Sequence, residues 1–243
     1  MKAVILAGGR GTRLAPLTVV FPKPLVPLGN RPILETIILQ LLRHGLRDVV
    51  LSVDHLADLI RAYFAARKAL SRRVAVSFVQ DEAPAGTAGS LASIPGLDET
   101  FLVMNGDVLT TLDYTALIAH HRAGGAALTI ATRKREVTVD LGVLRYDERG
   151  TVTDYLEKPK FAYDVSMGVY VYEPRVLGFI ERGKYLDFPD LVLRLIRAGE
   201  RVAVFPSDAY WLDIGRPDDY ARATEEFSSH FGDLGGILDE EHV

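Results

Sequence analysis

The sequence predicts an α/β fold, with a mixed, mostly parallel sheet flanked by helices and a small antiparallel region. Two observations carry this. In the first half, short wholly apolar segments alternate with amphipathic helical ones, as in a parallel sheet covered on both faces. Further along, three strand-like segments lie close together with no helix between them, as antiparallel strands do.

The elements follow in order. Ala3–Leu6 is an apolar run ending in glycines, which reads as a buried strand. Pro32 opens a helical pattern with Ile33, Leu34, Ile37, Ile38, Leu41 and Leu42 at spacings of three and four, and Gly45 stands where a C′ glycine belongs. Val49–Val53 is the next strand, Leu56–Leu70 an amphipathic helix, and Val74–Val79 and Phe101–Met104 are strands. Gly142–Arg145, Val152–Leu156 and Ser166–Tyr172 form the antiparallel region, and Phe188–Arg197 and Asp218–Phe227 are closing helices. Ligands of such sheets bind at the carboxyl ends of the strands. The loops expected to matter are therefore Ala7–Pro16, Gln80–Thr87 and Asn105–Thr110.

Composition narrows the classes. The chain has 243 residues, 25% charged and 48% hydrophobic, so it is long enough to bury a core without disulfides. It has no cysteine, which removes thiolate metal sites and cysteine nucleophiles. Adjacent histidines on a helix point to different faces, so His120-His121 reads as solvated surface. The net charge of −4 argues against a nucleic-acid binder. No apolar run reaches the length of a membrane span, and the apolar start is too short for a secretory leader, so a cytoplasmic protein is expected. Charge is unevenly spread. Residues 1–34 hold Lys2, Arg10, Arg13, Lys23 and Arg31 and no acid, whereas Asp208 to the end holds ten acidic and two basic residues. The first segment suits an anion and the second a cation.

The first strand runs into Gly8-Gly9-Arg10-Gly11-Thr12-Arg13-Leu14. Glycines let the backbone approach a ligand, and successive N–H groups can cradle phosphate. No Gly-Lys-Ser/Thr follows, so this is not a P-loop. Leu14 occupies the last glycine position of a dinucleotide fingerprint, so it is not that either. Downstream, prolines on both sides of Lys23 in Pro22-Lys23-Pro24-Leu25 preset its backbone.

Together, Gly8-Gly9-x-Gly11-Thr12-Arg13-Leu14-x-Pro16-Leu17-Thr18 and Pro22-Lys23-Pro24-Leu25 resemble the signature of the sugar-1-phosphate nucleotidyltransferases, the nucleotide-sugar pyrophosphorylases. The resemblance covers roughly Met1–Phe227. It implies a Rossmann-like sheet of the nucleotide-diphospho-sugar transferase type, with the antiparallel region as a sugar-binding subregion. It also implies one catalytic domain over 1–230; of the acidic tail that follows, 231–243, the part Asp233–Val243 is expected to fray.

The resemblance assigns residues as follows. Leu6, Gly8, Gly9, Gly11, Thr12, Arg13, Gln80, Pro84, Gly86, Thr87, Gly106 and Asp107 bind the nucleotide, with the Gln80 amide suited to a base edge. Gly142, Glu157, Lys158 and Gly168 bind the sugar phosphate, in Asp140-Leu141-Gly142-Val143, Glu157-Lys158-Pro159 and Ser166-Met167-Gly168-Val169-Tyr170. Mg²⁺ is implied as cofactor, held by Asp107 of Asn105-Gly106-Asp107 and by Asp213 of Trp211-Leu212-Asp213-Ile214-Gly215. Arg13, Lys23, Asp107 and Lys158 are the implied catalytic residues. Arg13 would stabilise leaving pyrophosphate, Lys23 the α-phosphate charge, and Lys158 the nucleophile.

The implied partners are a nucleoside triphosphate and a sugar 1-phosphate, with no nucleic acid and no membrane, and homo-oligomers are usual in the family. Gln80 suits thymine, uracil or guanine. The wording Gly86-Thr87-Ala88-Gly89 and the compact length favour a mannose- or heptose-1-phosphate guanylyltransferase. The alternatives are a glucose-1-phosphate thymidylyl- or uridylyltransferase, the same fold with a phosphocholine or alditol phosphate acceptor, or a sensor that binds NDP-sugar without turnover.

Overall fold

The structure is a computed structural model that describes residues 1–9 and 11–239, so Arg10 and residues 240–243 of the acidic tail lie outside it. Strand β1 (Lys2–Leu6) is followed by helix α1 (Ile33–Arg43), β2 (Asp48–Val53), α2 (Ala57–Ala66), β3 (Ala75–Gln80), β4 (Phe101–Asn105) and β5 (Val108–Thr110). Then come α3 (Tyr114–Gly124), β6 (Leu128–Thr138), β7 (Val143–Tyr146), β8 (Val152–Leu156) and β9 (Lys160–Tyr172). Helix α4 (Phe188–Arg197), β10 (Val202–Pro206), β11 (Trp211–Asp213) and α5 (Pro217–Phe231) complete the frame.

Seven strands form the main sheet in the order β10-β6-β9-β4-β1-β2-β3. β1 pairs in parallel with β2 and β4, β2 with β3, and β10 with β6. β9 alone in that sheet runs antiparallel to both of its neighbours. Val4 and Ile5 of β1 are both fully buried, one in each of two apolar clusters, which places β1 between the two layers of the core. The wholly apolar strands of the first half therefore do form a sheet covered on both faces. Among the described residues no helix is long and apolar enough to cross a membrane.

Helix α1 is buried on nearly every side, from Ile33 to Leu42. It ends as expected, with Gly45 at φ 76°, Gly45 N–H donating to Leu42 C=O at 2.9 Å and Leu46 N–H to Leu41 C=O at 3.0 Å. Its buried carboxylate, Glu35, accepts from Tyr63 Oη and the Arg67 guanidinium. Arg67 is also where the expected helix over 56–70 breaks into Ala57–Ala66 and Lys68–Arg73. Its backbone, at φ −88° and ψ 65°, leaves the helical region as its side chain reaches back to Glu35.

Three expectations change. First, Ser166–Tyr172 does not join the small antiparallel region. It is the end of β9, an internal strand of the main sheet, while β7 and β8 pair with each other as a separate ribbon. Second, His121 is not solvated surface. It is 1% exposed, with Nδ1 at 2.8 Å from Thr129 Oγ1 and Nε2 at 3.0 Å from Glu173 Oε1. The pair of histidines does split between faces, but one of those faces is the core; His120 is exposed against Phe205. Third, packed structure continues past residue 230, because Phe231 and Leu234 are buried at 1% and 0% exposure.

Candidate active site

Two cavities open at the carboxyl ends of β1, β2 and β4, and they share the walls Leu6, Thr87 and Asn105. The first, of about 380 Å³, is lined by the glycine loop, Lys23, Asp54, the 81–87 loop, Ser90, Gly106, Asp107, Tyr185 and Asp187. The second, of about 630 Å³, is lined by Val108, Ile130, residues 166–168 and 170, Phe188, Val192, Trp211 and Asp213.

The junction between them is built by the short ladder of β5 and β11. Asp213 pairs with Val108 across it, and Ile214 N–H donates to the Asp107 carbonyl at 3.0 Å. The fold thus brings the backbones of two aspartates more than a hundred residues apart next to each other. Lys23, 7% exposed, places its ammonium on Asp107 Oδ2. Burial pushes the Asp213 carboxyl above the usual carboxylate range and the Asp107 charge pushes it further, while Lys23 and Arg13 oppose both. Arg13 stacks its guanidinium against Gly215, where a Cβ would stand 3.3 Å from Nη1.

Among the described residues no three His, Cys, Asp or Glu side chains cluster as metal ligands. Two aspartates on neighbouring backbone positions, close enough for the charge of one to raise the other, fit a hard cation that takes its remaining ligands from phosphate and water, as Mg²⁺ does. They do not form an all-protein cage.

The loop 81–89 is held by the segment before α4. Asp187 Oδ1 accepts from Thr87 N–H (3.1 Å) and Oγ1 (3.3 Å), Tyr185 Oη donates to Asp187 Oδ2 at 2.7 Å, and Phe188 N–H donates to Thr87 Oγ1 at 2.8 Å. The Tyr185 hydroxyl, chiefly, and the two Thr87 bonds draw the Asp187 carboxyl below its usual range. Gly86 sits at φ 78° with the Leu186 carbonyl 2.5 Å from where a Cβ would be, so only glycine fits.

The structure gathers Leu6, Gly8, Gly9, Lys23, Pro84, Gly86, Thr87, Gly106 and Asp107 on the first cavity, and Gly168 and Asp213 on the second. Other expected residues lie elsewhere. Gly11, Thr12 and Arg13 line neither cavity, although Gly11 packs on Lys23. The Gln80 amide oxygen accepts from Arg61 at 3.3 Å, outside the cavity wall. Gly142, Glu157 and Lys158 flank the strands of the β7–β8 ribbon, where Glu157 accepts from Tyr155 Oη at 3.1 Å and Lys158 is exposed.

Sequence reasoning passed over Asp54, Tyr185 and Asp187 on the first cavity, and gave no role to Ser90 there, or to Tyr170, Phe188 and Trp211 on the second, within segments it did mark. Only the Asp187-Phe188-Pro189 pattern, an acid before an early helical proline, carried a signal, and it reads as a helix start.

The comparisons with known proteins agree with this architecture. Residues 2–230 match the family model described as Nucleotidyl transferase. A UTP–glucose-1-phosphate uridylyltransferase of Synechocystis sp. is 34% identical over 92% of this chain and 62% of its own length. The mannose-1-phosphate guanylyltransferase catalytic subunit beta of Drosophila melanogaster is 33% identical over 90% of this chain and 60% of its own. The chain thus spans less than two thirds of these curated relatives. HddC from Yersinia pseudotuberculosis, solved in complex with GMP-PN, superposes with a TM-score of 0.72 at 27% identity, covering 93% of this chain and 99% of that one. With its family model matched over nearly the whole chain, the protein belongs to the nucleotidyl transferase family.

Proposed function

We propose that the protein transfers a nucleotidyl group from a nucleoside triphosphate to a sugar 1-phosphate, giving an NDP-sugar and pyrophosphate, with GTP as the donor and a mannose or heptose phosphate as the acceptor. One observation carries this reading: two cavities share walls, and Asp107 stands on one and Asp213 on the other, with the N–H of Ile214, next to Asp213, donating to the Asp107 carbonyl. That is the layout needed to bring a nucleotide and a second phosphate together at one charge-neutralising point.

In the reaction, a phosphate oxygen of the sugar 1-phosphate forms a bond to the α-phosphorus while the bond from that phosphorus to the pyrophosphate oxygen breaks. The attacking phosphate is already ionised, so no general base is needed. The difficulty is the repulsion of anions, about 4 kcal/mol for two unit charges about 4 Å apart at an effective dielectric near 20. Lys23, fixed by its flanking prolines and by Asp107, brings a positive charge to the cavity at low ordering cost. Arg13 would turn from Gly215 toward the leaving pyrophosphate, and Lys158 would meet the acceptor by closure of the β7–β8 ribbon. Asp107 and Asp213 would hold Mg²⁺, which when bound offsets phosphate charge. The acceptor would lie between Gly168 and Trp211, whose indole Nε1 is fixed by the Met167 carbonyl at 2.8 Å.

The guanylyl reading draws on the mannose-1-phosphate guanylyltransferase relatives and on the GMP-PN complex of HddC. A uridylyl reading is favoured by the Synechocystis relative. Pyrophosphate release over a matrix of GTP, UTP, dTTP and CTP against mannose, heptose and glucose 1-phosphates decides between them. Binding of NDP-sugar with no release in any pair would instead identify a sensor.

A further inference from the structure

The first cavity holds a carboxylate that the reading above leaves without a task. Asp54 follows β2 and lines the cavity beside the glycine loop; a Cβ built on Gly8 would lie 3.1 Å from Asp54 Cβ. Its backbone carbonyl accepts from Ala57 N–H at 3.3 Å, while its carboxylate pairs with no described residue. Ser90, 6% exposed, presents to the same cavity a hydroxyl that has no partner among the described residues. A buried hydroxyl left unpaired is costly, and a polar ligand in the cavity removes that cost.

The other candidates on this wall are less suited. Gln80, the base reader expected from sequence, is engaged by Arg61 away from the cavity. Asp187 is committed to Tyr185 and Thr87. Asp81 follows β3, the edge strand of the sheet, whereas Asp54 leaves β2, which is paired on both sides.

We propose that Asp54 selects guanine, its carboxylate accepting hydrogen bonds from the guanine N1–H and N2–H₂ groups. The proposal rests on the nucleotidyltransferase reading and deepens it. An ionised carboxylate only accepts, so it pairs with an edge that offers two adjacent donors. Guanine has that edge. Uracil and thymine present one N3–H between two carbonyls, so one carboxylate oxygen would face another acceptor. Hypoxanthine keeps N1–H and lacks the amine. A bidentate pair of this kind discriminates between bases by about 5-fold to about 150-fold.

The test is calorimetric titration of the wild type, Asp54→Asn, Asp54→Ala and Asp81→Asn with GTP, ITP and UTP, without sugar phosphate. The wild type should prefer GTP over both ITP and UTP by a factor in that range. Both Asp54 variants should lose the preference for GTP over ITP, and Asp81→Asn should keep it. Each preference is a ratio within one protein, so a general loss of affinity cancels. An Asp54 variant that keeps the wild-type GTP-to-ITP ratio, or loss of the ratio in Asp81→Asn alone, overturns the assignment and leaves the guanylyl reading standing. Wild-type binding of UTP in preference to GTP overturns the guanine choice itself, and binding of no nucleoside triphosphate overturns the reading beneath it.

Discussion

The residue after Asp213 is tied directly to Asp107: Ile214 N–H donates to the Asp107 carbonyl at 3.0 Å. The two residues are therefore held close by the backbone of a two-stranded ladder, and burial, with the Asp107 charge second, is what raises the Asp213 carboxyl. Such a pair is stable only with positive charge nearby, which Lys23 supplies in part. Asp107→Asn and Asp213→Asn should each lower kcat by roughly 100-fold or more while the unfolding midpoint holds. Chelation of Mg²⁺ should abolish turnover and its return restore it. Full activity in Asp213→Asn would remove that residue from the site.

Gly86 should tolerate no side chain. Alanine there meets the Leu186 carbonyl and must adopt the left-handed conformation, at a cost of about 1–2 kcal/mol before the clash is counted. Gly86→Ala should raise KM for the nucleoside triphosphate about tenfold or more by displacing the Thr87–Asp187 clamp. Gly124→Ala, in a helix with nothing within 4 Å, should leave steady-state kinetics alone.

His121 gives the fold a pH dependence. Burial, chiefly, holds its pKa below the ordinary value of 6.5, against the Glu173 hydrogen bond that raises it. The unfolded chain then takes up a proton at higher pH than the folded one, so this stability is fully present above about pH 6.5 and is lost as pH falls below it. Urea unfolding at about pH 7.5 and about pH 5.5 should show the wild type weakening, and His121→Gln should flatten that change. An equal slope in the variant would assign the pH dependence to other groups.

The end of the described chain should matter for stability. Leu234→Ala removes a fully buried side chain and should cost about 2–5 kcal/mol, and Phe231→Ala about 3–5 kcal/mol. Chemical denaturation measures both, and neutral effects would show that this segment only decorates the surface.

Much of this was legible because it depends on local pattern. The apolar runs of β1, β2 and β4 and the turn at Gly45 declare themselves, and the glycine loop with the proline-flanked Lys23 is dense in backbone constraint. The strand-end rule located the loops. What was missed depends on long-range pairing. β9 reads as antiparallel from its neighbours in sequence, but its place in the main sheet is set by β4, far away in the chain. His121 looks polar until Thr129 and Glu173 arrive to satisfy it. Asp54 is an unremarked acid after a strand until Gly8 and the cavity lie beside it.

The most direct measurement of the central claim is pyrophosphate release from GTP with mannose 1-phosphate or heptose 1-phosphate and Mg²⁺, read together with formation of the NDP-sugar. Under the nucleotidyl-transfer reading, the wild type gives equal amounts of the two products and Asp107→Asn loses both. Release of neither product with any nucleoside triphosphate and sugar 1-phosphate, from a folded protein that binds both substrates, would contradict it.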